Sequence, residues 1–484
     1  MGRTERVVLL GLLVGLVSAL HGVQLASSIN NACNMAPFSD CGTWMERNIS
    51  SSFRSAGLPT IRIGAALPGY KPFWGTGAAL TESSAYLLHR YNSTNPQGFT
   101  SFARNLTKFS SMRVPVGTSD FALSEWTFVS NTPDWNMSSF QLQRDRFQRP
   151  MLNHLLSFRT SQQPLTLIFS VWSPPIWLKK GSEWSYANLL EQNTLFYRGV
   201  ANYWLSFLSN LRSYIEPRWH SRVGKIYFAI QNEPFQSVGS DLPGCSMSSQ
   251  DQIEIIKLVL SGVGAVRLGR LPEPRVLVLD HNWDLLSEAE EIALGVNATG
   301  VAFHAYGGSY VAQETFRDNF PASEIHLTEF SGSYTDDPNG TWDWDMTNII
   351  FGSLNSFGQS VTYWNLVLDD NAGPLNPKTP GYCTTCNGMF RITKDYSQIL
   401  AQPRFYTLGL LSCIPYGAVR VSIDFSRGLE ETLTVMAFMS SKQTECCLVI
   451  QNKGTAIDFD VEVGNLFLRI HMAADTVNSL SIFM

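Results

Sequence analysis

Two carboxylates in this sequence each stand at the end of an apolar run that is typical of a buried β-strand. The segment KIYFAIQNEPF, residues 225–235, ends in Asn232, Glu233 and a proline, which cannot continue a strand ladder. About a hundred residues later, the segment EIHLTEF, residues 324–330, presents Glu329 in the same way. A single Asn-Glu pair usually means that a strand meets solvent and turns. Two strand ends of this kind predict a shared site.

A pair of facing carboxylates suits the cleavage of a glycosidic bond. One carboxylate attacks the anomeric carbon while the other protonates the leaving oxygen from the opposite face. When the two groups lie about 5–5.5 Å apart, the reaction passes through a covalent intermediate and retains configuration. We expect Glu233 to be the acid, protonated because its pKa is raised, and Glu329 to be the ionised nucleophile. The amide of Asn232 is expected to donate to the 2-hydroxyl of the sugar.

The elements that must position these groups are eight short apolar runs between about residues 75 and 370, separated by amphipathic stretches. This alternation predicts a (β/α)8 TIM barrel, with a doubly wound open sheet as the alternative. The eight runs are GAAL, SMRVPV, LTLIFSV, KIYFAI, RVLVLD, GVAFHAY, EIHLTEF and SVTYWNL.

Further polar and aromatic residues stand at the ends of these predicted strands. Active-site residues of a barrel lie at the carboxyl ends of its strands, where the fourth and seventh strands face each other. The additional candidates are Asp120 after the second strand, Trp172 after the third, His304 and Tyr306 in the sixth, and Trp364 and Asn365 in the eighth.

Other kinds of chemistry find little support in the sequence. The net charge of −5 and pI near 5.9 provide no basic stripe, so nucleic acid is not an expected partner. His281, His304 and His326 lack the spacing of a metal motif such as H-E-x-x-H. There is no G-x-S-x-G elbow and no phosphate-binding loop. We therefore predict an enzyme that uses neither a metal nor a cofactor.

Beyond about residue 405 the pattern changes to strands with turns between them and no helical runs. The segments GAVRVSIDF, LTVMAFMS, TECCLVIQN, IDFDVEV and LFLRIHM predict an antiparallel β-sandwich packed on the barrel. Short strand-like pieces before residue 70 are expected to complete it. The predicted division is a signal peptide at 1–26, a segment joining the sandwich at 27–70, the barrel at 71–404 and the sandwich at 405–484.

The first residues are typical of a secretory signal. Arg3 and Arg6 precede an apolar run that is short for a membrane span, although an uncleaved anchor is the alternative. Six N-glycosylation sequons and eight cysteines fit the secretory pathway, with a lysosomal or extracellular destination. Cys383 and Cys386 are expected to close a small disulfide loop and Cys33 to pair with Cys41. Cys446 and Cys447 are either buried thiols or members of other bridges.

Eight motifs, in this order along the chain, resemble those of glycoside hydrolase family 30, in particular its glucosylceramidase branch. They are GTGAALTESSAYLL, MRVPVGTSDF, VWSPPIWLK, QNEP, FHAYGG, LTEFSGSY, YWNLVLDDNAGP and FYTLGLLSCIPYGAVRV. The resemblance covers nearly all of the chain after the signal. It implies a barrel with an immunoglobulin-like β-sandwich built from both ends of the chain.

The resemblance also implies roles for individual residues. Glu233 matches the acid/base, Glu329 the nucleophile and Asn232 the contact to the 2-hydroxyl. Asp120 matches an aspartate that binds the 4- and 6-hydroxyls of glucose. The remaining matches are Trp172 and Trp364 lining the glucose subsite, and Arg113, His304, Tyr306 and Asn365 around it.

The implied function is that of a retaining β-glucosidase that hydrolyses glucosylceramide to glucose and ceramide. The alternative is a secreted endo-β-1,6-glucanase or another β-glycosidase of the same family, since parts of the sequence resemble microbial and fungal relatives. Because both glutamates are present, a catalytically silent sugar-binding relative is disfavoured. A glycolipid substrate would require contact with a membrane surface or anionic lipid and an apolar rim around the pocket. The candidate rim residues are Ile176, Trp177, Trp342 and Trp344, with buried packing as the alternative role for at least half of them.

Overall fold

The computed structural model describes residues 23–30, 57–189, 191–381, 383–426 and 428–484. The strands, in chain order, are β1 (Val23–Asn30), β2 (Thr60–Ala66), β3 (Gly75–Ala79), β4 (Ser111–Pro115), β5 (Leu165–Ser170), β6 (Ala187–Asn188), β7 (Val223–Ala229), β8 (Cys245–Ser246), β9 (Pro274–Asn282), β10 (Gly300–His304), β11 (Glu324–Glu329), β12 (Ser360–Tyr363), β13 (Val367–Asp369), β14 (Phe390–Ile392), β15 (Ile399–Ala401), β16 (Val419–Phe425), β17 (Leu433–Met439), β18 (Glu445–Asn452), β19 (Ile457–Val463), β20 (Leu466–Met472) and β21 (Thr476–Phe483).

Helices connect these strands. They are α1 (Glu82–Thr94), α2 (Pro96–Leu106), α3 (Gln148–Ser157), α4 (Thr194–Tyr214), α5 (Ser249–Val263), α6 (Leu286–Val296), α7 (Val311–Asn319), α8 (Pro338–Trp344), a π-helix (Asp345–Ser353) and α9 (Pro403–Gly409). Local sequence sets several of their starts. For example, Ser248 and Asp251 form a capping box at the start of α5, and Asn193 caps α4.

Eight parallel strands form a closed barrel, in the order β3, β4, β5, β7, β9, β10, β11 and β12. Each of the eight predicted apolar runs contributes one strand, so the predicted TIM barrel is confirmed and the open sheet is excluded. The runs are almost continuously apolar because both faces of a barrel strand are covered. In β5, for example, all six residues are buried.

A second domain contains one mixed sheet of eight strands, in the order β1, β21, β18, β17, β16, β2, β19, β20. Strands from both ends of the chain take part, as predicted. The sheet is not antiparallel throughout, as was expected, because β2 pairs in parallel with β19. Alternate residues from both halves of the sheet, such as Leu448 and Val461, share one buried cluster. The sheet therefore folds over, and its halves pack as the two layers of a sandwich. β21 was not predicted, since Asn478 and Ser479 interrupt its apolar pattern.

The two neighbouring cysteines Cys446 and Cys447 differ in bonding because they face different domains. Successive side chains of a strand point to opposite faces. Cys446 lies inside the sandwich as a buried free thiol, whereas Cys447 faces the barrel and forms a disulfide with Cys413. Phe438, on the same face of the sheet as Cys447, joins the buried cluster of the barrel. Of the two predicted alternatives, Cys446 is therefore the buried thiol and Cys447 the member of a disulfide.

Other predictions concern the ends of the chain and its surface. The Cys33–Cys41 pair and most of the predicted signal peptide lie outside the described residues, and the domain boundaries stay predictions. Among the residues described, no helix is long and apolar enough to span a membrane. The sequon residues Asn105, Asn136 and Asn297 are exposed, as glycosylation would require.

Candidate active site

A cavity of about 330 Å³ opens at the carboxyl ends of the barrel strands. Seven of the ten predicted site residues line it together. They are Asp120, Trp172, Asn232, Glu233, Tyr306, Glu329 and Trp364. Of the remaining three, Arg113 and His304 lie directly behind the two glutamates. Asn365 is fully buried away from the lining, where its Oδ1 accepts a hydrogen bond from Thr81 at 3.0 Å.

Glu233 is held just beyond β7 in a strained backbone conformation. Its φ of 45° lies in the left-handed region, which non-glycine residues seldom adopt and which often marks functional sites. The backbone N–H of Glu233 donates to the carbonyl of Asp280 at 3.0 Å, and its carbonyl accepts from the hydroxyl of Tyr186 at 3.1 Å. These contacts turn the side chain into the cavity. Its Oε1 lies 3.1 Å from Nδ1 of His304.

Glu329, the last residue of β11, faces Glu233 across the cavity. Its carboxylate accepts hydrogen bonds from the guanidinium of Arg113 and, at 2.9 Å, from the hydroxyl of Tyr306. These donors stabilise a negative charge on the side chain and orient it. One oxygen of Glu329, one oxygen of Glu233 and a ring nitrogen of His304 all lie within 4.8 Å of one another.

Asp280 is a site residue that the sequence analysis did not single out. Its carboxylate accepts hydrogen bonds from Arg113 at 2.7 Å, Ser170 at 2.6 Å and Thr328 at 2.8 Å, and lies 3.2 Å from Nε2 of His304. Asp280 therefore supplies the negative charge that a fully buried arginine requires. Its position at the end of the fifth predicted strand, RVLVLD, could have revealed it, since most of the other candidates came from strand ends.

A local irregularity of β9 turns Asp280 towards this network. Leu279 and Asp280 have φ values of 72° and 52°, and the register between β9 and β10 shifts at this point. A bulge of this kind redirects a side chain, and bulges recur next to active sites. Sequence periodicity does not reveal it.

The titration of the glutamates differs from the sequence-based expectation. Burial by itself would raise the pKa of Asp280. The charge of Arg113 and the hydrogen bonds that the Asp280 carboxylate accepts keep that pKa well below its ordinary value. Burial opposes a charge on His304, yet Glu329 and the bonds to Asp280 and Glu233 raise its pKa to about 9. Because Asp280 fixes the proton on Nε2, the second proton of the imidazolium lies on Nδ1, facing Glu233.

This imidazolium changes the balance between the two glutamates. Burial favours a raised pKa of Glu233, but hydrogen bonding and the charge of His304 outweigh it and lower that pKa. The pKa of Glu329 is raised by burial and by the charge of Glu233, against the opposing charges of His304 and Arg113. In the free site, therefore, the proton expected on Glu233 resides on His304, 3.1 Å away. The pair His304–Glu233 titrates as a unit.

The raised pKa of His304 leads to a stability prediction. A histidine whose pKa is higher in the folded than in the unfolded protein stabilises fully below about pH 6.5, and this stabilisation is lost as pH rises through about 9. We expect the difference in unfolding free energy between the wild type and His304→Gln to narrow by a few kcal/mol between pH 6 and 9.5. Chemical denaturation at the two pH values measures it. The exposed His471→Gln variant is the control, and a constant difference would contradict the assignment of charge to His304.

Asn232 presents its amide nitrogen to the cavity. Nη2 of Arg113 donates to Oδ1 of Asn232 at 2.7 Å, which fixes the orientation of the amide. Nδ2 is consequently the group that remains as a donor towards a ligand beside Glu233. This orientation is the one that the predicted contact to a sugar 2-hydroxyl requires.

The opposite side of the cavity combines stacked aromatic rings with a buried carboxylate. The rings of Trp172 and Trp364 stack with centroids 5.0 Å apart, and the guanidinium of Arg113 lies 4.6 Å from the centre of the Trp172 ring. Oδ1 of Asp120 is buried and has no hydrogen-bond partner among the described residues. Burial, and then the charge of Glu329, raise the pKa of Asp120 well above its ordinary value. Hydroxyl donors of a bound sugar would satisfy this carboxylate.

Glu233, His304 and Glu329 also form a set that could coordinate a cation. The same atoms, however, already accept from Arg113 and Tyr306 or face the imidazolium of His304. The guanidinium and the imidazolium supply the positive charge that a metal would otherwise bring. The chemistry below is therefore derived from the two carboxylates.

The predicted aromatic rim does not surround this cavity. Trp177 is buried, with its ring centre 5.0 Å from that of Trp135. Trp342 lines a different cavity, together with Gln451 and Lys453 of the sandwich domain. Ile176 and Trp344 are likewise not among the residues that line the catalytic cavity. Trp177 therefore has the alternative, buried role. The rim expectation was wrong for Trp342 because its segment, which follows β11, packs beside the sandwich.

The short distance between the glutamates predicts the stereochemical outcome of catalysis. Carboxylates about 5 Å apart leave no room for a water molecule beneath the sugar, so the reaction proceeds by double displacement. We expect a β-glucoside to release β-glucose as the first-formed product. Proton NMR during the first minutes of hydrolysis measures the anomer before mutarotation. Initial release of α-glucose would show inversion and contradict this geometry.

Comparisons with known proteins agree with the geometry. The model described as "Glycosyl hydrolase family 30 TIM-barrel domain" matches residues 75–414. The chain is 25% identical over 389 residues to the lysosomal acid glucosylceramidase of Mus musculus, covering 75% of this chain and 72% of the relative. It is 24% identical over 409 residues to an endo-1,6-beta-D-glucanase of Neurospora crassa, covering 80% of each. A solved endo-beta1,6-glucanase structure aligns with a TM-score of 0.77 at 21% identity, covering 95% of this chain and 99% of the other. This last likeness shows the fold.

Proposed function

The chain belongs to glycosyl hydrolase family 30, and from that premise we propose that it is a retaining β-glucosidase that hydrolyses glucosylceramide to glucose and ceramide. Glu329 attacks the anomeric carbon of the bound glucose and forms a covalent glucosyl–enzyme. Glu233 protonates the departing ceramide oxygen, and in the second step it removes a proton from the water that releases glucose. His304 supplies the proton that Glu233 transfers.

The surrounding residues act on the sugar in this proposal. Nδ2 of Asn232 donates to the 2-hydroxyl, and Asp120 accepts from the 4- and 6-hydroxyls. Trp172 and Trp364 pack on the apolar face of the ring. Arg113 and Tyr306 orient Glu329 towards the anomeric carbon, and the charge of Arg113 opposes its protonation. No step requires a cofactor.

The observation that carries the lipid assignment is a set of exposed apolar side chains on the segments that follow three of the barrel strands. The aglycone must leave next to its proton donor, Glu233, and hence on the side of β7, β9, β10 and β11. Five of the large apolar side chains exposed on the described surface lie on the segments that follow β7, β10 and β11: Val238, Tyr306, Val311, Tyr334 and Trp344. Trp344 is set apart, because its neighbours Trp342 and Asp343 line the separate cavity beside the sandwich. We name the other four residues the apolar sector; of these, Tyr306 lines the catalytic cavity. They replace the predicted rim, and they suit the chains of a lipid at a membrane surface.

A second candidate, hydrolysis of β-1,6-linked glucan, is favoured by a different observation. Within the cavity the side chains next to the sector include Gln236, Asn282 and Ser331, which are polar and could bind a second sugar ring. Tyr306 would then serve as a stacking platform. The similarity to endo-1,6-glucanases is as high as the similarity to glucosylceramidases.

A direct comparison of substrates tests the proposal. Purified protein is given a fluorescent short-chain glucosylceramide in vesicles containing anionic lipid and, separately, the β-1,6-glucan pustulan. We expect hydrolysis of the glucosylceramide, with stimulation by the anionic lipid. Release of gentio-oligosaccharides from pustulan without action on the glycolipid would replace the lipid assignment by the second candidate.

A variant of the apolar sector tests whether these side chains contact the lipid without affecting the catalytic step. In Val238→Ser/Tyr334→Ser we expect kcat/KM on glucosylceramide to fall about tenfold, which corresponds to roughly 1.4 kcal/mol of binding. Activity on a soluble aryl β-glucoside should stay unchanged, because neither residue lines the cavity. The matched control is Leu294→Ser, whose side chain is 79% exposed on α6, and which should retain both activities. An equal loss on both substrates would show that the sector acts on the fold instead.

The proposed location is the secretory pathway, ending in a lysosome or outside the cell. The two disulfides of the described part of the chain, Cys383–Cys386 and Cys413–Cys447, support an oxidising compartment. One similar protein is named as lysosomal. The expected contact with anionic lipid follows from the substrate, and nucleic acid has no place in this proposal.

A further inference from the structure

One segment contributes to the wall of the cavity and has no role in the proposed mechanism. This segment, which we name the strap, comprises residues 376–381 and 383–389. The Cys383–Cys386 disulfide lies within it, and both cysteines line the catalytic cavity. Cys386 is fully buried and shares one cluster with Trp172, Trp364 and Phe121. The disulfide is therefore part of the wall of the sugar site.

Backbone hydrogen bonds tie the strap to three of the loops that surround the cavity. The N–H of Asn376 donates to the carbonyl of Asp120 at 2.7 Å, and that of Gly381 donates to Asp241 at 3.1 Å. On the other side, the N–H of Tyr334 donates to the carbonyl of Thr385 at 2.9 Å, and that of Asn387 donates to Gly332 at 2.9 Å. The strap thus connects the loops after β4, β7 and β11.

The strap lies directly against the carboxylate that is proposed to hold the far end of the sugar. A Cβ atom placed on Gly381 would lie 3.2 Å from Cβ of Asp120 and 3.4 Å from its Oδ2. The same atom would lie 2.5 Å from Cδ2 of Leu242. Gly381 of the strap therefore packs closely against the side chains of Asp120 and Leu242. A second sugar ring attached to the 4- or 6-hydroxyl of a glucose held by Asp120 would meet the strap at this point.

We propose that the strap, held by the Cys383–Cys386 disulfide, closes the glycone end of the cavity and makes the enzyme exo-acting on a single terminal β-linked glucose. The inference rests on the proposed function, since it takes Asp120 as the group that binds the 4- and 6-hydroxyls. The two cysteines are positioning residues. A three-residue separation inside the bridge gives a tight loop that keeps the backbone against Trp364 and Asp120.

A comparison of 4-nitrophenyl β-glucoside with 4-nitrophenyl β-gentiobioside tests whether the glycone end accepts a second sugar ring. A closed glycone end allows the wild type to remove only the terminal glucose from the gentiobioside, so that glucose and 4-nitrophenyl β-glucoside form first. Direct release of gentiobiose together with nitrophenol needs a second ring beyond Asp120. Early products are identified by chromatography with mass detection. Direct release of gentiobiose by the wild type would overturn the proposal.

The variant Cys383→Ser/Cys386→Ser tests the disulfide. We expect KM for the β-glucoside to rise about tenfold, equivalent to roughly 1.4 kcal/mol of binding, with a much smaller change in kcat. Gentiobiose should become a direct product. Gly381→Ala is the second variant, because a methyl group there displaces the strap without removing the bridge, and it should show the same KM effect. Unchanged KM and unchanged products in both variants would overturn the positioning role.

One control variant and one wild-type outcome separate the possible explanations. Cys413→Ser/Cys447→Ser removes the other described disulfide, at the junction of the domains, and should leave the product pattern as in the wild type. A change of product pattern in this control would attribute the effect to general loosening of the fold and would overturn the proposal. If the wild type cleaves neither nitrophenyl substrate, the proposed β-glucosidase function fails. A wild type that cleaves both substrates but releases gentiobiose directly would instead overturn only the closure of the glycone end.

Discussion

Replacement of Glu329 by glutamine is expected to lower kcat by a factor on the order of 10⁴ or more, the size of effect that follows removal of a catalytic nucleophile. Glutamine preserves the shape of the side chain and can still accept from Tyr306, but its neutral oxygen cannot form the covalent glucosyl–enzyme. The loss should be similar for substrates with good and poor leaving groups. Steady-state hydrolysis of an aryl β-glucoside and of glucosylceramide measures both cases.

Covalent labelling provides an independent readout of the same assignment. A conduritol-type epoxide should attach to Glu329 of the wild type and fail to attach to the Glu329→Gln variant, as judged by mass spectrometry of the peptides. The matched control is Glu324→Gln, which makes the same change in the same strand at the opposite end of the barrel. Its side chain can still accept from Tyr227 and Arg275, so activity per folded molecule should persist. Labelling of a different carboxylate would refute the assignment.

Replacement of Glu233 by glutamine should have an effect that depends on the leaving group. General acid catalysis contributes roughly 10²–10⁴-fold, so hydrolysis of glucosylceramide, whose alkoxide is a poor leaving group, should fall by that factor. An activated aryl glucoside needs little protonation, and its rate of glucosylation should fall much less. Pre-steady-state measurement of nitrophenol release isolates this first step from the later attack of water.

The contrast between the two glutamine variants is the decisive comparison. Glu329→Gln is expected to lose both kinds of substrate, and Glu233→Gln chiefly the one with the poor leaving group. Circular dichroism and thermal unfolding of each variant check that the fold persists. Equal losses on the two substrates in Glu233→Gln would remove the acid role from Glu233.

The barrel was predictable because burial of each strand inside the fold requires an apolar run that is visible in the local sequence. A strand such as β5, covered on both faces, must be apolar along its length, and the sequence LTLIFSV shows this directly. The carboxyl ends of parallel strands meet at one end of the barrel, so the sequence alone predicts that Glu233 and Glu329 share one cavity. The sandwich was less visible, since β21 carries Asn478 and Ser479 in its middle and only its pairing with β18 and β1 defines it.

The electrostatics of the site could not be derived from residue order. Asp280 reaches Arg113 and His304 only because β9 bulges at Leu279 and Asp280. That contact fixes the proton on Nε2 of His304 and places the other proton opposite Glu233, which reverses the pKa expected for the acid. The position of Trp342 could not be predicted for a related reason. The distance from Trp342 to the cavity depends on the path of the chain after β11, which local propensity does not specify.

By itself the sequence determined the barrel, the sharing of the second domain between both chain ends and the two glutamates, because hydrophobic periodicity and strand ends are properties of neighbouring residues. Only the tertiary structure decided which charges meet and which side chains line the cavity. Electrostatic interactions and steric closure depend on distances of a few ångströms between residues far apart in the chain. Arg113 and Glu329, 216 positions apart and in direct contact, illustrate this.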